Sequence, residues 1–145
     1  MNGFYGENLH TMDAKGRVLL PAKFRKVLPE SLVVVPSLDR DFPSLRVYTE
    51  DGFSQWKRDL VAKDGGYQAY NQGQEDLLYA INSSAAPVDI DVAGRISIPL
   101  GHRNDAKLDK EVVVVGNDDY IAVWNSTIWD AFKLKRLKSV NPYTS

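Results

Sequence analysis

The stretch Asp13-Ala-Lys-Gly-Arg17-Val-Leu-Leu-Pro21 returns downstream as Asp91-Val-Ala-Gly-Arg95-Ile-Ser-Ile-Pro99, with Asp, Gly, Arg and Pro at identical spacing. A chain that writes one unit twice is constrained to fold as two like halves, and no other feature narrows the outcome as much. Each copy reads as a tight turn followed by a short apolar strand, Val18 to Leu20 or Ile96 to Ile98. Proline then stops the strand, because it has no N–H to give to a ladder. Within the turn the Asp carboxylate can accept backbone N–H groups, and Gly16 or Gly94 can take the positive φ that closes it.

The echo extends beyond the turns. A strand around Leu9 to Met12 is matched by Val88 to Ile90, Leu32 to Val35 by Val112 to Val115, and Ser44 to Tyr48 by Tyr120 to Trp124. The continuous β-branched runs predict strands buried on both faces. Tyr48, Phe53 and Trp56 are separated by the same intervals as Trp124, Trp129 and Phe132. Pro21 can open a helix over Ala22 to Leu28, ended by Pro29. Thr49 is a candidate N-cap for a helix carrying Phe53, Trp56 and Leu60 on one stripe, closed by Gly65-Gly66. A second helix over about Gln74 to Ile81 offers Leu77, Leu78 and Ile81 for burial, and Ser83 to Pro87 reads as a small polar connector. A last helix capped near Ser126 carries Ile128, Trp129 and Phe132, and residues from about Val140 onward read as frayed.

At 145 residues the chain suits two half-size units sharing one core. A 43% hydrophobic and 26% charged composition excludes wholesale disorder. No apolar run approaches the roughly 20 residues of a membrane span, and no leader pattern opens the chain, so a cytoplasmic protein is expected. Without cysteine there are no disulfides or thiolate metal sites.

The net charge of −1 argues against a dedicated polyanion binder, but its distribution does not. Lys15, Arg17, Lys23, Arg25 and Lys26 cluster near the first turn against Asp13 alone. Compensating acid lies mid-chain at Glu50, Asp51, Asp59, Asp64, Glu75 and Asp76. The repeated turn therefore has two readings. In one, Arg17 and Arg95 fold back on Asp13 and Asp91 as internal braces. In the other, the rigid turn aims basic side chains outward at phosphates and guanine edges.

These residues resemble the MraZ family, bacterial transcriptional regulators of the AbrB/SpoVT superfamily. The resemblance rests on Asp13-Ala-Lys-Gly-Arg17 running into Val-Leu-Leu-Pro21-Ala-Lys-Phe-Arg25, with Asp91-Val-Ala-Gly-Arg95 repeated downstream, and it covers nearly the whole chain. It implies an α+β fold: a duplicated swapped-hairpin AbrB-type β-barrel with surrounding helices. The first SpoVT-AbrB-like repeat would span 7–54, a helical connector 55–82, the second repeat 83–126, and a C-terminal helix and tail 127–145. It further implies ring-like homo-oligomers, nucleoid association, and binding of double-stranded DNA at short direct repeats upstream of a cell-division and cell-wall gene cluster. The family's Asp-x-x-x-Arg motifs fall on Asp13 and Arg17 and on Asp91 and Arg95. Lys15, Arg17 and Arg95 are the expected DNA contacts, while Asp13, Gly16, Asp91 and Gly94 structure the turns. The second copy has Ala93 where the first has Lys15, so the first turn is expected to carry more of the contact.

Other constellations point nowhere sharper. His10 and His102 have no carboxylate–histidine spacing suited to a metal or a triad and read as surface or turn residues. Gly3 to Gly6 lacks a P-loop continuation. Trp56, Trp124 and Trp129 read as core, and Lys133 to Lys138 as the solvated basic end of the last helix. Neither a cofactor nor an enzyme is indicated. The alternative function is an oligomeric protein-interaction scaffold whose turns are structural braces.

Overall fold

The computed structural model describes residues 3–143. The elements in order are β1 (Glu7–Thr11), β2 (Arg17–Leu19), α1 (Ala22–Arg25), β3 (Ser31–Pro36), β4 (Leu45–Tyr48), α2 (Glu50–Ala62) and α3 (Gln72–Ser83). They continue as β5 (Ala86–Asp89), β6 (Arg95–Ser97), α4 (Leu100–Asp105), β7 (Glu111–Asn117), β8 (Tyr120–Asn125) and α5 (Ser126–Phe132), which runs into a π-helical turn over Lys133–Leu137.

All strand pairing is antiparallel, and it crosses between the halves. A six-stranded sheet has the order β1-β7-β8-β4-β3-β5, and β2 pairs with β6 as a separate ribbon. Exchanging each first-half strand for its second-half counterpart turns that order into its own reverse, so a pseudo-two-fold axis passes between β4 and β8. The registers obey it. Arg17 lies opposite Ser97 and Leu19 opposite Arg95, while β1 borrows β7 and β5 borrows β3. Pro87 is tolerated in β5 because β5 is an edge strand. The strand begins at Ala86, inside the stretch expected to be a connector.

The four central strands β3, β4, β7 and β8 are buried on both faces, as the β-branched runs predict, while the edge strand β1 is largely exposed. Leu32, Val34, Leu45, Val47, Val112, Val114, Ile121 and Val123 point to one side, where Val18, Leu20, Ile96 and Ile98 of the ribbon strands and the residues just after them close over them. That core draws on both halves. Alternate residues face the opposite side beneath helices, Val35 and Tyr48 with Phe53 and Ile81, and Val113, Ala122 and Trp124 with Trp129. The repeated aromatic spacing becomes two matching stacks: Tyr48 on Trp56 with centroids 5.3 Å apart, and Trp124 on Phe132 at 4.8 Å. Trp56, Trp124 and Trp129 are thus packed, and Trp129 Nε1 donates to Glu7 Oε1 at 2.5 Å.

The fold is therefore mixed α+β, with an open sheet. Among the described residues no hydrogen bonds join edge strand β1 to edge strand β5, so the pairing does not close a barrel.

Local chemistry explains the helix ends. The Thr49 side chain accepts from Gly52 N–H at 2.9 Å, capping α2 as expected. Asn125, not Ser126, caps α5 by accepting from Thr127 and Ile128 N–H. Helix α1 stops at Arg25, short of the expected Leu28, because only Phe24 is buried and Pro29 disfavours a helical Leu28. The second copy repeats this helix as α4, which the sequence reading did not anticipate. Helix α3 extends beyond the expected span and buries Ile81, yet Leu77 remains 36% exposed.

Two other expectations need correction or limits. Within the Lys133–Lys138 run, Arg136 reaches Asp39 at 2.9 Å and Asp41 at 3.6 Å, so it ties the last helix to a loop instead of simply being solvated. Of the tail expected to fray, residues 144 and 145 lie outside the described residues.

Ile96 has no exposed surface and sits where both halves meet. Ile96→Ala is expected to lower unfolding free energy by about 2–5 kcal/mol in denaturant titrations, with a single transition retained.

Candidate nucleic-acid interface

The ribbon strands are three residues long, and alternation decides what each side chain does. Val18 and Ile96 enter the core with no exposed surface. Arg17, Leu19, Arg95 and Ser97 are left on the outer face. In this register Arg17 and Arg95 are diagonal neighbours, a relation that places the two residues about 7–8 Å apart. The turns sit at opposite ends of the ribbon, since Ile98 N–H donates to Gly16 O at 2.9 Å and Leu20 N–H donates to Gly94 O at 3.0 Å.

Both turns are built alike. Lys15 and Arg17 N–H donate to Asp13 Oδ1 at 3.0 and 2.9 Å, and Arg17 Nε donates to Oδ2 at 2.6 Å. Ala93 and Arg95 N–H donate to Asp91 Oδ1 at 3.0 and 2.8 Å, and Arg95 Nε donates to Oδ2 at 3.1 Å. The Arg17 N–H bond, and the Arg95 N–H bond in the other turn, chiefly hold Asp13 and Asp91 below their ordinary 3.8; burial opposes the shift and the guanidinium assists it. Gly16 and Gly94 take φ of +80° and +85°, as the turn requires.

The ion pairs occupy Nε only. Among the described residues, the terminal nitrogens of Arg17 and Arg95 carry no hydrogen bond. Their side chains retain 31% and 35% exposure. Each Asp therefore orients its arginine without consuming the fork that recognises phosphates and base edges. Lys15 stands exposed at one tip, whereas the other tip presents Val92 and Ala93.

Two arginines not anticipated as site residues complete the face. Arg103 packs across Gly16, where an added Cβ would come within 2.6 Å of Arg103 Nε, and Arg25 packs across Gly94 in the same manner. They occupy equivalent positions in the two halves, and each covers the turn of the other half. Their bonding differs, because Arg103 Nε donates to Ile98 O at 3.0 Å while Arg25 Nε is buried with no partner. The signal was present in the sequence as matching arginines four residues after Pro21 and Pro99. Only strand exchange reveals what they cover. Elsewhere, His102 Nε2 lies 2.7 Å from Ser84 O, and no grouping of three or more His, Cys, Asp or Glu among the described residues could hold a metal.

The family model described as "MraZ protein, putative antitoxin-like" matches residues 4–64 and 81–142. The chain belongs to the MraZ family. Similar proteins include a "Transcriptional regulator MraZ" of Carboxydothermus hydrogenoformans, 36% identical over 89% of this chain and 85% of that protein. A protein of the same description from Corynebacterium jeikeium is 38% identical over 87% of this chain and 83% of its own length. One from Ligilactobacillus salivarius is 36% identical over 89% and 85%. The two segments matched by the MraZ model leave out the stretch from 65 to 80, which holds the loop after α2 and most of α3.

A carboxylate whose folded pKa lies below its unfolded value stabilises above the unfolded value, and that contribution is lost as pH falls through the folded one. Stability is therefore expected to fall on acidification below pH 3.8, with Asp13→Asn and Asp91→Asn flattening that decline. Denaturant midpoints measured against pH check this.

Proposed function

We propose that this chain is a DNA-binding transcriptional regulator that lays the outer face of the β2–β6 ribbon against the double helix. The observation that carries the reading is the pair of partly exposed arginines, Arg17 and Arg95, each held by its Asp through Nε, with no hydrogen bond on the terminal nitrogens among the described residues. The major groove is about 12 Å wide and admits a two-stranded ribbon. At about 3.4 Å per residue, the rise from Gly16 to Leu20 sets the turns about 14 Å apart, so one short ribbon can meet phosphates at both ends. Lys15 and Arg17 are the principal contacts, and Arg95 is secondary because Ala93 supplies no cation beside it. Asp13, Gly16, Asp91 and Gly94 hold the turns in shape.

The wider reading comes from the family resemblance. Repeats 7–54 and 83–126, joined by connector 55–82 and followed by 127–145, form one protomer of a homo-oligomeric ring. The ring grips short direct repeats on the nucleoid, ahead of a cell-division and cell-wall gene cluster. Physical economy supports it, since a protomer with few phosphate contacts binds weakly, whereas linked copies on repeated sites gain through effective concentration. No enzymatic step is part of the reading, which rests on binding alone. The second reading, an oligomeric interaction scaffold, draws on the same short Arg17–Asp13 ion pair as a brace.

A DNA titration separates the two. Arg17→Ala is expected to weaken binding to repeat-containing promoter DNA by about 1–3 kcal/mol, with oligomer mass unchanged. The wild type should lose affinity linearly in a log–log salt series. Undiminished affinity in Arg17→Ala would remove Arg17 from the contact and favour the brace.

A further inference from the structure

Arg46 stands where the two halves meet and do not match. The offset that superposes Tyr48 on Trp124 carries Arg46 to Ala122, and the two residues lie directly opposite each other in the β4–β8 register. The pseudo-two-fold axis therefore passes through that pair, with a cation on one side and a methyl group on the other. Alternation puts both side chains on the helix-covered face of the sheet, away from the ribbon, because their neighbours Leu45, Val47, Ile121 and Val123 fill the ribbon-side core.

The guanidinium is held there without being neutralised. It lies 4.2 Å from the Tyr120 ring centroid and 5.3 Å from that of Trp56, and Nη1 donates to Tyr48 Oη at 3.1 Å. Burial pushes the Tyr48 phenol up to about 12, so at neutral pH it supplies no counter-charge. Among the described residues Arg46 makes no ion pair. A half-buried cation in this position gains from any anion that can reach it.

Two cavities border Arg46. The larger, of about 630 Å³ beside α2, also carries Asp51, Asp59 and Asp119, which repel an anion. The smaller, of about 290 Å³ beside α5, is walled by Val115, Ala122, Trp124, Trp129, Phe132 and Leu137. Its one carboxylate, Asp39, is already bonded to Arg136 and to the N–H groups of Asp41 and Phe42.

We infer that the smaller cavity binds a small apolar monocarboxylate, its hydrocarbon or aryl body among Trp124, Trp129 and Phe132 and its carboxylate on the Arg46 guanidinium. Arginine meets carboxylates through paired N–H donors, and burying the body removes apolar surface from water. A single charge suits the site better than a phosphate, because Arg46 is the one cation among the described lining residues and a phosphate group carries about −1.5 to −2. A ligand so placed touches β4, β8 and α5 together and spans the axis between the halves. The inference does not depend on what the ribbon binds.

Phenylacetate, octanoate and naphthoate, each beside its uncharged amide, are suitable probes for calorimetric titration of the intact chain. At least one acid is expected to saturate the wild type by about 10 mM. Its amide should bind about tenfold more weakly or worse, since charge-assisted hydrogen bonds are lost. Arg46→Gln should bring the acid down to the amide's affinity with unchanged circular dichroism. In nitrogen-15 spectra of the wild type, which need no variant, the indole N–H signals of Trp124 and Trp129 should shift with the acid. No saturation by any acid, equal affinity for acid and amide, full affinity in folded Arg46→Gln, or shifts confined to Trp56 of the larger cavity would each overturn the inference.

Discussion

Neither half of this chain can satisfy its own backbone. Gly16 takes the N–H of Ile98, Gly94 takes the N–H of Leu20, and the edge strands β1 and β5 are each paired to the opposite half. Buried amides left unpaired cost on the order of 1–3 kcal/mol each, so a half-folded chain would forfeit many such bonds at once. The hydrophobic core obeys the same rule, because Val18 and Ile96 lie side by side beneath one ribbon. Interleaving thus makes two repeats one cooperative unit, and it also brings both turns onto one face.

That face shows how a nearly neutral protein can hold a concentrated positive surface. The carboxylates nearest the arginines do not cancel them so much as aim them, since each Asp uses one oxygen on backbone N–H groups and the other on Nε. Arginine suits the position because its planar guanidinium carries five N–H donors in fixed directions, so a directed fork remains after Nε is engaged, whereas lysine offers a compact ammonium with three rotating donors. Arg25 and Arg103 extend the same surface from α1 and α4, reaching over glycines that leave room for them.

Much of this was legible from the chain. The turn chemistry follows from Asp, Gly and Arg at fixed intervals, and the two aromatic stacks follow from matched spacing. What stayed hidden depends on pairing between distant segments. Periodicity shows that β1 and β5 are equivalent but not that they trade partners, so the cover of Arg103 over Gly16 could not be read. Helix α4 carries little signal although Pro99 repeats Pro21, because Leu100-Gly-His-Arg-Asn-Asp has little apolar periodicity. Helix α3 was expected to bury Leu77, but the sheet face beneath it is already filled by Phe53, Trp56 and Ile81. The basic run at the end of the chain looked solvated because its partners Asp39 and Asp41 are remote in sequence.

A symmetric pair made of two separate chains must write every change twice, whereas a fused pair can let its sides drift apart. Lys15 facing one way and Ala93 the other is such a drift. It gives the molecule a front and a back. Whatever lies along the ribbon therefore meets a cation at one tip and apolar side chains at the other.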